Sequence, residues 1–548
     1  MTAARQAIAA RNGIAAAARL NQVLSLPPNT QTEAAQALMG EAREFSGELR
    51  KAKTEYELYL KLYPKGEFVP RVTDRLAGVD KTITQLSPSL GLKPGAGPAP
   101  WTVFGSISQN YYTGNSQIVT ITPPPPGQLL FNQDTLSLTD QRSLISTLDF
   151  QARRNDAVTD TRIVIRELDN RNYLQGQKSY DRLNAAYIDQ TNKQVGYNFR
   201  VGRQLGTGGG VFGRFDGLLL GYSLNPTWRI NAVVGTPVEF NTPFSRSFAG
   251  ASVDFSPKTG RPGFTGYYIE QTLEGVLDRK AVGGEVRYFD PHTTVFGMVD
   301  YDLLYDQVNI AMMQGNRRTD AGTNYFVNVD YRKTPPLGFT NALPGQISLD
   351  PARPTLDFRQ LFRTSVDTLG VDELRNQASI LTGNSSLYTV GFLHPVTTHW
   401  QLGADYRNAS VTGTGESGIL PAQPGTGTSH VFSGQALGSS LLFTNDTTVV
   451  NGTFIFAPTF DGQSYTFTYV VPYNNWRFDG IVGYYTQRDF QSQRQVRWTP
   501  TLKISYRWRT STTFELQAGA EIFDETGPLR ELHSRRQYIY GGYRWDFQ

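Results

Sequence analysis

The residue types that most often carry out catalysis or bind metals are sparse in this chain of 548 residues, which contains no cysteine. Disulfides, thiolate metal sites and cysteine nucleophiles are therefore excluded. No serine-nucleophile elbow of the G-x-S-x-G type occurs. The five histidines lack the spacing of metal ligands, and we interpret them as solvated turn or loop residues. We expect no catalytic residues, no cofactor and no metal, and so no enzyme. The histidines are His292, His394, His399, His430 and His533.

One glycine-rich stretch, Gly206–Gly213 with the sequence G-T-G-G-G-V-F-G, resembles a phosphate-binding loop in composition. A phosphate-binding loop needs a following helix, whose N-terminus attracts the anion, and a Lys-Ser/Thr pair. Strand patterns flank this stretch on both sides, and the pair is missing. We therefore predict a flexible hairpin loop.

Charged residues recur at every second position of many segments and alternate with apolar ones. In V-G-Y-N-F-R-V-G, for example, Asn198 and Arg200 oppose Tyr197, Phe199 and Val201. Such a pattern places the charges on one face of a strand. If the strands form a wide closed barrel, these residues line an aqueous channel. The alternative is that they pair with charges on neighbouring strands and only compensate one another within the wall. The predicted lumen-lining residues are Arg153, Arg200, Arg214, Asp216, Arg229, Glu285, Arg287, Asp330, Arg332, Lys503, Arg507 and Arg544.

The number of such segments decides between the possible β architectures. From Trp101 to Phe547 we count about 22 strands, with a range of 16–22, and find no blade or coil repeat. Short connections, such as those at Asn225 and Asp290, largely alternate with longer ones. The longer stretches are 113–141, 204–210, 238–247, 334–383, 412–429 and 524–534. The fold predicted for 101–548 is a large antiparallel transmembrane β-barrel.

The last residues of the chain, Q-Y-I-Y-G-G-Y-R-W-D-F-Q, form an apolar face and a polar face. We expect the apolar face to contact lipid, and Tyr538, Tyr540, Arg544 and Asp546 to face the lumen. This strand should pair with the one that begins at Trp101 and so close the barrel. Its apolar face resembles that of the closing strand of bacterial outer-membrane β-barrels, the C-terminal barrel signature, although Gln548 follows the aromatic that is usually last. The signature residues are Ile539, Tyr543, Trp545 and Phe547.

Residues 1–86 differ in character, because Ala, Leu, Glu, Lys and Arg predict helices. Within 33–66, five residues stand at the small, aromatic and proline positions of a tetratricopeptide repeat. The alternative is an ordinary helical hairpin. Residues 87–100 are rich in proline and glycine and predict a linker. The tetratricopeptide-like packing residues are Gly40, Ala52, Tyr56, Tyr59 and Pro64.

The connection 334–383 is the longest, and connections of this length are usually functional or disordered. It is rich in proline, and the pattern predicts a helix around Val371–Leu381. Two arrangements are open. The connection folds into or over the lumen and restricts it, or it extends outward as a mobile loop.

Charge and hydropathy fit this organisation. The net charge of +4 is spread along the chain and does not indicate a nucleic-acid partner. Mean hydropathy is −0.38, and no run of 18 apolar residues predicts a membrane-spanning helix. The first residues lack the apolar core of a signal peptide, so either the chain begins downstream of one or the prediction of a membrane protein is wrong.

The combination of a tetratricopeptide-like region and a C-terminal barrel resembles exopolysaccharide export porins and lipoprotein surface-assembly modulators. Residues 274–291 (E-G-V-L-D-R-K-A-V-G-G-E-V-R-Y-F-D-P) and 210–222 (G-V-F-G-R-F-D-G-L-L-L-G-Y) are similar to a functionally uncharacterised proteobacterial family of such barrels. The resemblance implies a location in the bacterial outer membrane, with the helical region in the periplasm. It also implies outer-membrane lipid and the barrel assembly machinery as partners, and a periplasmic protein or polysaccharide docked on the helical region. The implied function is polymer export, with a diffusion porin or a protein-translocation barrel as alternatives.

Overall fold

The chain divides into two units, Met1–Pro100 and Trp101–Gln548. The computed structural model describes all residues except 11, 25–30, 47, 65, 87–98, 123–131, 207, 241–243, 258–259, 348–356 and 529. Most of the predicted linker 87–100 therefore lies outside the described residues. In the described part of the chain, no helix has the length and apolar character needed to cross a membrane.

The described residues of the first unit form five helices, which confirms the predicted helical character, and consecutive helices pack against each other. Alanines and leucines of the first three helices form one apolar cluster. A second cluster joins the last three helices around Ala52, Tyr56 and Tyr59. The helices are α1 (Thr2–Ala9), α2 (Gly13–Leu24), α3 (Thr32–Phe45), α4 (Leu49–Leu62) and α5 (Val69–Leu86).

The tetratricopeptide-like residues lie at the contact between α3 and α4. A side chain at Gly40 would place its Cβ 2.2 Å from the Tyr56 ring, so only glycine allows this approach. Tyr56 and Tyr59 are fully buried. Their hydroxyls donate to Glu44 and Glu33, each at 2.8 Å. Burial, followed by these hydrogen bonds, raises the pKa of both tyrosines, that of Tyr59 to about 12. Ala52 is buried in the same cluster, and Pro64 follows the end of α4.

The second unit is a closed antiparallel barrel of 22 strands, which confirms the predicted fold class. Each strand pairs with the next, and β22 pairs with β1 from Gly105↔Phe547 to Ile121↔Glu531, as predicted. The strands are β1 (Thr102–Thr122), β2 (Asn132–Asn155), β3 (Thr159–Asn172), β4 (Tyr180–Asn192), β5 (Tyr197–Leu205), β6 (Arg214–Ser223), β7 (Trp228–Pro237), β8 (Arg246–Phe255), β9 (Gly263–Leu273), β10 (Val276–Phe289), β11 (Thr293–Asp302), β12 (Gln307–Arg318), β13 (Asn324–Thr334), β14 (Gly383–Pro395), β15 (Trp400–Val411), β16 (Gly427–Ser439), β17 (Thr447–Phe456), β18 (Phe460–Tyr473), β19 (Trp476–Asp489), β20 (Arg494–Trp508), β21 (Thr512–Thr526) and β22 (Glu531–Phe547).

An even number of antiparallel strands brings Thr102 and Phe547 to one end of the barrel, which we call the proximal end. The predicted short turns, such as those at Asn225 and Asp290, all lie there. The predicted longer connections lie at the opposite, distal end. Two of them were wrong in extent. Most of 113–141 is strand, because β1 and β2 pair as far as Thr122 and Asn132. Most of 524–534 is also strand, because β21 ends at Thr526 and β22 begins at Glu531. The interpretation of all five histidines as turn or loop residues was also wrong, since His394, His430 and His533 lie within strands.

The outer face of the barrel carries apolar side chains that no other part of the described chain covers. Leu502, Leu516 and Ile539, on three successive strands, are each 52% exposed. Trp545, on the same face of β22, is also exposed. A band of this kind around a closed barrel is typical of proteins that contact lipid. On the inner face, Tyr540 stacks on Tyr112 of β1 with ring centroids 5.0 Å apart.

One proximal turn depends on a single carboxylate. Asp446 accepts hydrogen bonds from the backbone N–H groups of Leu441, Leu442 and Phe443 at 2.7–2.9 Å, and from the hydroxyl of Tyr469 at 2.7 Å. Burial opposes ionisation, but these hydrogen bonds outweigh it and lower the pKa of Asp446 well below its usual value.

We expect Asp446→Asn to lower the urea midpoint of barrel unfolding at pH 7, because an amide can accept fewer of these hydrogen bonds. A group whose pKa is depressed by folding contributes stability above its unfolded pKa of about 4, and this contribution is lost as pH falls through the folded pKa. The difference between Asp446→Asn and wild type should therefore shrink below about pH 4. Asp320→Asn, at an exposed position in another proximal turn, is the control. A gap that is constant from pH 7 to pH 3 would contradict the assignment.

Candidate functional site: the lumen wall and the segments folded against it

The glycine-rich connection between β5 and β6 folds back onto the inner face of the barrel. Its apolar residue Val211 packs in a cluster with side chains from five neighbouring strands, β6 to β10. Two of these side chains, Phe215 and Ile269, are each only 1% exposed. The stretch is a hairpin connection, as predicted, but the prediction that it is flexible was wrong, because its described residues are held against the wall. The cluster residues on the wall are Phe215, Val233, Phe248, Ile269 and Ala281.

Glycine is required here for two physical reasons. Gly209 and Gly210 have φ angles of +66° and +79°, a region that other residues rarely adopt. A Cβ on Gly210 would also lie 2.5 Å from the ring of Tyr267. The sequence G-G-G therefore allows the backbone to approach the wall closely. The backbone of this connection contacts side chains of the wall, whereas the backbone of a phosphate-binding loop contacts an anion.

A buried ion pair holds the connection in place. The Arg279 guanidinium donates to Asp300 at 2.7 Å and to the carbonyl oxygen of Gly210 at 2.9 Å. Asp300 is completely buried, and it also accepts from the Tyr267 hydroxyl at 2.8 Å and from the Asn309 amide at 3.1 Å. The ring of Phe212 lies against the same guanidinium, 4.8 Å from ring centroid to Cζ. Every charge in this group is therefore compensated.

Sequence reasoning missed this group, although Arg279 lies on the same face of β10 as the predicted Glu285 and Arg287. The extra residues at the two register shifts beside it are Asp278 in β10 and Asn309 in β12. At these two positions a bulge breaks the alternation of faces that the sequence analysis relied on. One signal was available: Arg279 and Gly210 belong to the two stretches, 274–291 and 210–222, that the sequence analysis singled out. These two stretches are in direct contact.

On the proximal side of the glycine-rich connection, the lumen wall is polar and carries both charges. The Gly209 N–H donates to Glu285 at 3.3 Å. Arg200 pairs with Asp189 at 2.5 Å, and Arg287 lies 3.8 Å from Asp254. Arg229 donates to the side chain of Asn198. These residues enclose a cavity of about 340 Å³, which we call the lower cavity.

On its other side, the connection borders a larger cavity of about 850 Å³, the upper cavity. The wall here is formed by inner-face residues of β6 to β13, and residues 335–344 of the long connection cover it. Val211 and Phe215 line both cavities. The glycine-rich connection therefore lies between two cavities in the lumen.

The long connection between β13 and β14 contains two helices, α6 (Phe358–Leu369) and α7 (Val371–Ile380), and two 3₁₀ turns, Phe339–Asn341 and Leu343–Gln346. α7 confirms the helix predicted in this region. The described residues pack on the distal rim through a buried cluster that includes Leu273, at the end of β9, and Tyr305, in the β11–β12 connection. Of the two predicted arrangements, the described residues adopt the one that folds over the lumen. Pro351 and Pro354 lie outside the described residues.

Polar contacts fix the same connection. Glu274, in the β9–β10 turn, pairs with Arg359 at 3.0 Å and with Arg363 at 3.1 Å. A hydrogen bond from the Ser245 N–H, and then these arginines, lower the pKa of Glu274. The backbone N–H of Phe339 donates to Asp278, which is buried, at 2.7 Å.

The structure thus brings six of the predicted lumen residues to the two cavities and leaves the others elsewhere. Those at the lower cavity are Arg200, Arg229, Glu285 and Arg287, and those at the upper cavity are Arg214 and Arg332.

Most of the remaining predicted lumen residues pair with neighbours. Arg153 pairs with Asp160, Asp330 with Arg332, Lys503 with Glu515 and Arg544 with Asp546. Asp216 departs from its expected position: it alternates with the inward Phe215 and pairs with Arg203 at 2.7 Å on the outer side of the wall. Arg507 lies on β20, away from both cavities. Among the described residues, no group of three His, Asp or Glu side chains could hold a metal ion.

No family model and no curated protein matches the chain. Solved structures of outer-membrane channels are similar at low identity. The outer-membrane protein OpdK from Pseudomonas aeruginosa has a TM-score of 0.37 and 8% identity over 81% of this chain and 99% of that chain. The translocation pore of the P pilus usher PapC has a TM-score of 0.35 and 9% identity over 80% of this chain and 100% of that chain. OccAB3 from Acinetobacter baumannii has a TM-score of 0.34 and 8% identity over 81% of this chain and 99% of that chain. All three TM-scores are below 0.5, so the fold assignment rests on the strand pairings of this chain.

Proposed function

We propose that the protein is a channel of the bacterial outer membrane that passes small polar solutes, and not an enzyme. The observation that carries this proposal is the placement of two chain segments against one wall of the lumen. The glycine-rich connection and residues 335–344 narrow this side of the lumen to cavities of about 340 and 850 Å³. Cavities of this size fit small molecules. The charged wall beside them favours polar over apolar solutes.

The outer apolar band supports a membrane location, and an even strand number supports chain ends on the periplasmic side. Outer-membrane lipid and the barrel assembly machinery are the partners that this location implies. In this location the helical unit, which precedes β1 in the chain, would lie in the periplasm.

A second candidate, export of a polymer such as an exopolysaccharide, is supported by the helical unit. Its consecutive helices stack in sequence, with Tyr56 and Tyr59 buried between them. Stacked helical pairs commonly provide docking surfaces. In this alternative the unit would bind a periplasmic protein or polysaccharide.

Liposome swelling and planar-bilayer conductance of the full chain test the proposal. We expect swelling to be fast with disaccharides and slow with long glucan chains. Gly210→Val should raise the single-channel conductance, because a side chain there collides with Tyr267 and displaces the connection. Gly434→Val is the matched control, since a Cβ on Gly434 would have no neighbour within 4 Å.

Two results would count against a small-solute channel. One is a wild-type protein that passes long glucans as readily as disaccharides, which would favour export. The other is a folded barrel that neither conducts ions nor supports swelling.

A further inference from the structure

We propose that the lower cavity is a binding site for a small zwitterion, a molecule that carries a cationic and an anionic group a few bonds apart. This inference names a solute class and therefore rests on the proposed channel function. It depends on two opposite charges that face this cavity and do not pair with each other or with other charges of the wall.

The strand register places these two charges, Arg229 and Glu285, on the inner face of the wall. Arg229 precedes Val233 by four residues on β7, and Glu285 follows Ala281 by four residues on β10. Val233 and Ala281 belong to the inner cluster beneath the glycine-rich connection. No register shift separates the two residues of either pair. Because an even spacing in a strand keeps side chains on one face, both charged side chains face the lumen.

The other four charged residues that line the lower cavity compensate one another in pairs. The Arg200 guanidinium donates to Asp189 at 2.8 Å. Arg287 lies 3.8 Å from Asp254, which also accepts a hydrogen bond from the Asn231 amide at 2.7 Å. Two positive charges therefore cancel two negative ones. One guanidinium and one carboxylate remain.

The remaining guanidinium is that of Arg229. It donates to the side-chain oxygen of Asn198, which is neutral. Its Nε atom is buried and has no hydrogen-bond partner in the described part of the chain. Asp254 stands opposite Arg229 in the strand register, but its oxygens accept from Asn231 and Thr265. Among the described residues no carboxylate lies within 4 Å of the Arg229 guanidinium, so Arg229 has donors left for an anionic group.

The remaining carboxylate is that of Glu285, which is 8% exposed. Within the described residues its one hydrogen-bond donor is the Gly209 N–H, at 3.3 Å, and no basic side chain lies within 4 Å of it. The backbone at Gly208 also lies close, since a Cβ there would be 3.0 Å from Oε1 of Glu285. The glycine-rich connection therefore keeps water from much of this carboxylate. A carboxylate with few donors and little water attracts a cation more strongly than a solvated one.

The separation of Arg229 and Glu285 suits a molecule placed between them. They stand on β7 and β10, three strands apart, so their backbones are roughly 14 Å apart along the wall. The two side chains line one cavity of about 340 Å³ without forming an ion pair. A simple anion would be attracted by Arg229 and repelled by Glu285, and the reverse holds for a simple cation. A zwitterion satisfies both charges at once.

Isothermal titration of the full chain in detergent with serine, serinamide and N-acetylserine tests the site. Serine is a zwitterion with a polar side chain, serinamide lacks its anionic group, and N-acetylserine lacks its cationic group. We expect serine to bind at least about tenfold more tightly than either of the other two, because only serine gains charge-assisted hydrogen bonds at both ends.

Variants locate the site. Arg229→Gln should weaken serine binding about tenfold or more and leave serine no better bound than serinamide. Glu285→Gln should weaken serine binding similarly and leave serine no better bound than N-acetylserine. Arg507→Gln and Glu521→Gln remove the same charges from β20 and β21, away from the lower cavity, and should leave the affinity unchanged. Heat-modifiable gel migration shows that each variant forms the barrel.

The outcomes separate this inference from the channel function. A barrel that conducts but binds serine no more tightly than serinamide or N-acetylserine overturns the zwitterion site and leaves the channel intact. Equal weakening by the β20 and β21 variants would show general attraction to the lumen and would also overturn the site. Glucose binding as tight as that of serine would overturn it too, because the cavity would then accept neutral polar solutes equally well. Serine binding that is sensitive to Arg229, in a barrel that does not conduct, supports the site and overturns the channel function.

Discussion

Replacing Arg279 by methionine should destabilise the barrel by about 3–5 kcal/mol, because the change leaves the carboxylate of Asp300 buried without its cation. Asp300 is completely buried and Arg279 is 7% exposed, so water cannot solvate the remaining charge. The free energy of unfolding in urea, followed by the shift in gel migration, measures this effect. The glycine-rich connection also loses the hydrogen bond from Arg279 to Gly210. We therefore expect the single-channel conductance to rise as well.

Two comparisons sharpen the test. Arg544→Met breaks an ion pair whose side chains are 61% and 44% exposed, and such pairs contribute about 0–1 kcal/mol. Arg279→Met combined with Asp300→Asn removes both charges and keeps an acceptor for Tyr267, so it should recover much of the lost stability. If Arg279→Met and Arg544→Met have equal effects, the buried pair does not anchor the connection.

Replacing Phe339 by alanine should release the long connection from the distal rim. The ring of Phe339 is fully buried, 5.8 Å from the ring of Phe362, and Arg375 lies against it. Loss of a buried phenylalanine costs about 3–5 kcal/mol. Because this core belongs to the connection and the rim, we expect local opening, with the barrel strands still paired.

Trypsin cleavage within 358–380 measures that opening. A local cost of about 3 kcal/mol corresponds to cleavage roughly a hundredfold faster. Leu369→Ala, at a 38% exposed position at the end of α6, is the matched control. If cleavage is unchanged while the urea midpoint of the whole barrel falls, Phe339 stabilises the wall and does not hold the connection.

The sequence indicated some features of the long connection and of the glycine-rich connection, but not their positions. The long connection was recognised by its length and prolines, and its second helix by its pattern. Its position required Leu273 of β9 and Tyr305 of the β11–β12 connection, which no local pattern links to Phe339. Similarly, the run of glycines predicted a hairpin connection. Its inward fold depends on Tyr267 and Arg279, which are distant in the sequence.

The predicted lumen charges show the same division. Arg200 and Arg229 follow strict alternation in short strands, and both lie at the lower cavity. Asp216 lies only one position from Phe215, and a shift of one residue moves a side chain to the other face. Arg214 stands at the first position of β6, where the strand leaves the glycine-rich connection and alternation gives little guidance.

The sequence by itself determined the properties that depend on neighbours along the chain. Alternating apolar and polar residues specify strands, short proximal turns make them antiparallel, and the apolar face of β22 matches that of β1, so the barrel closes. Only the tertiary structure decided how the lumen is divided. Arg279 on β10 and Asp300 on β11 meet on the inner face of the wall, and Arg279 fixes Gly210 between two cavities. Such contacts depend on the strand register around the whole wall, which no local pattern encodes.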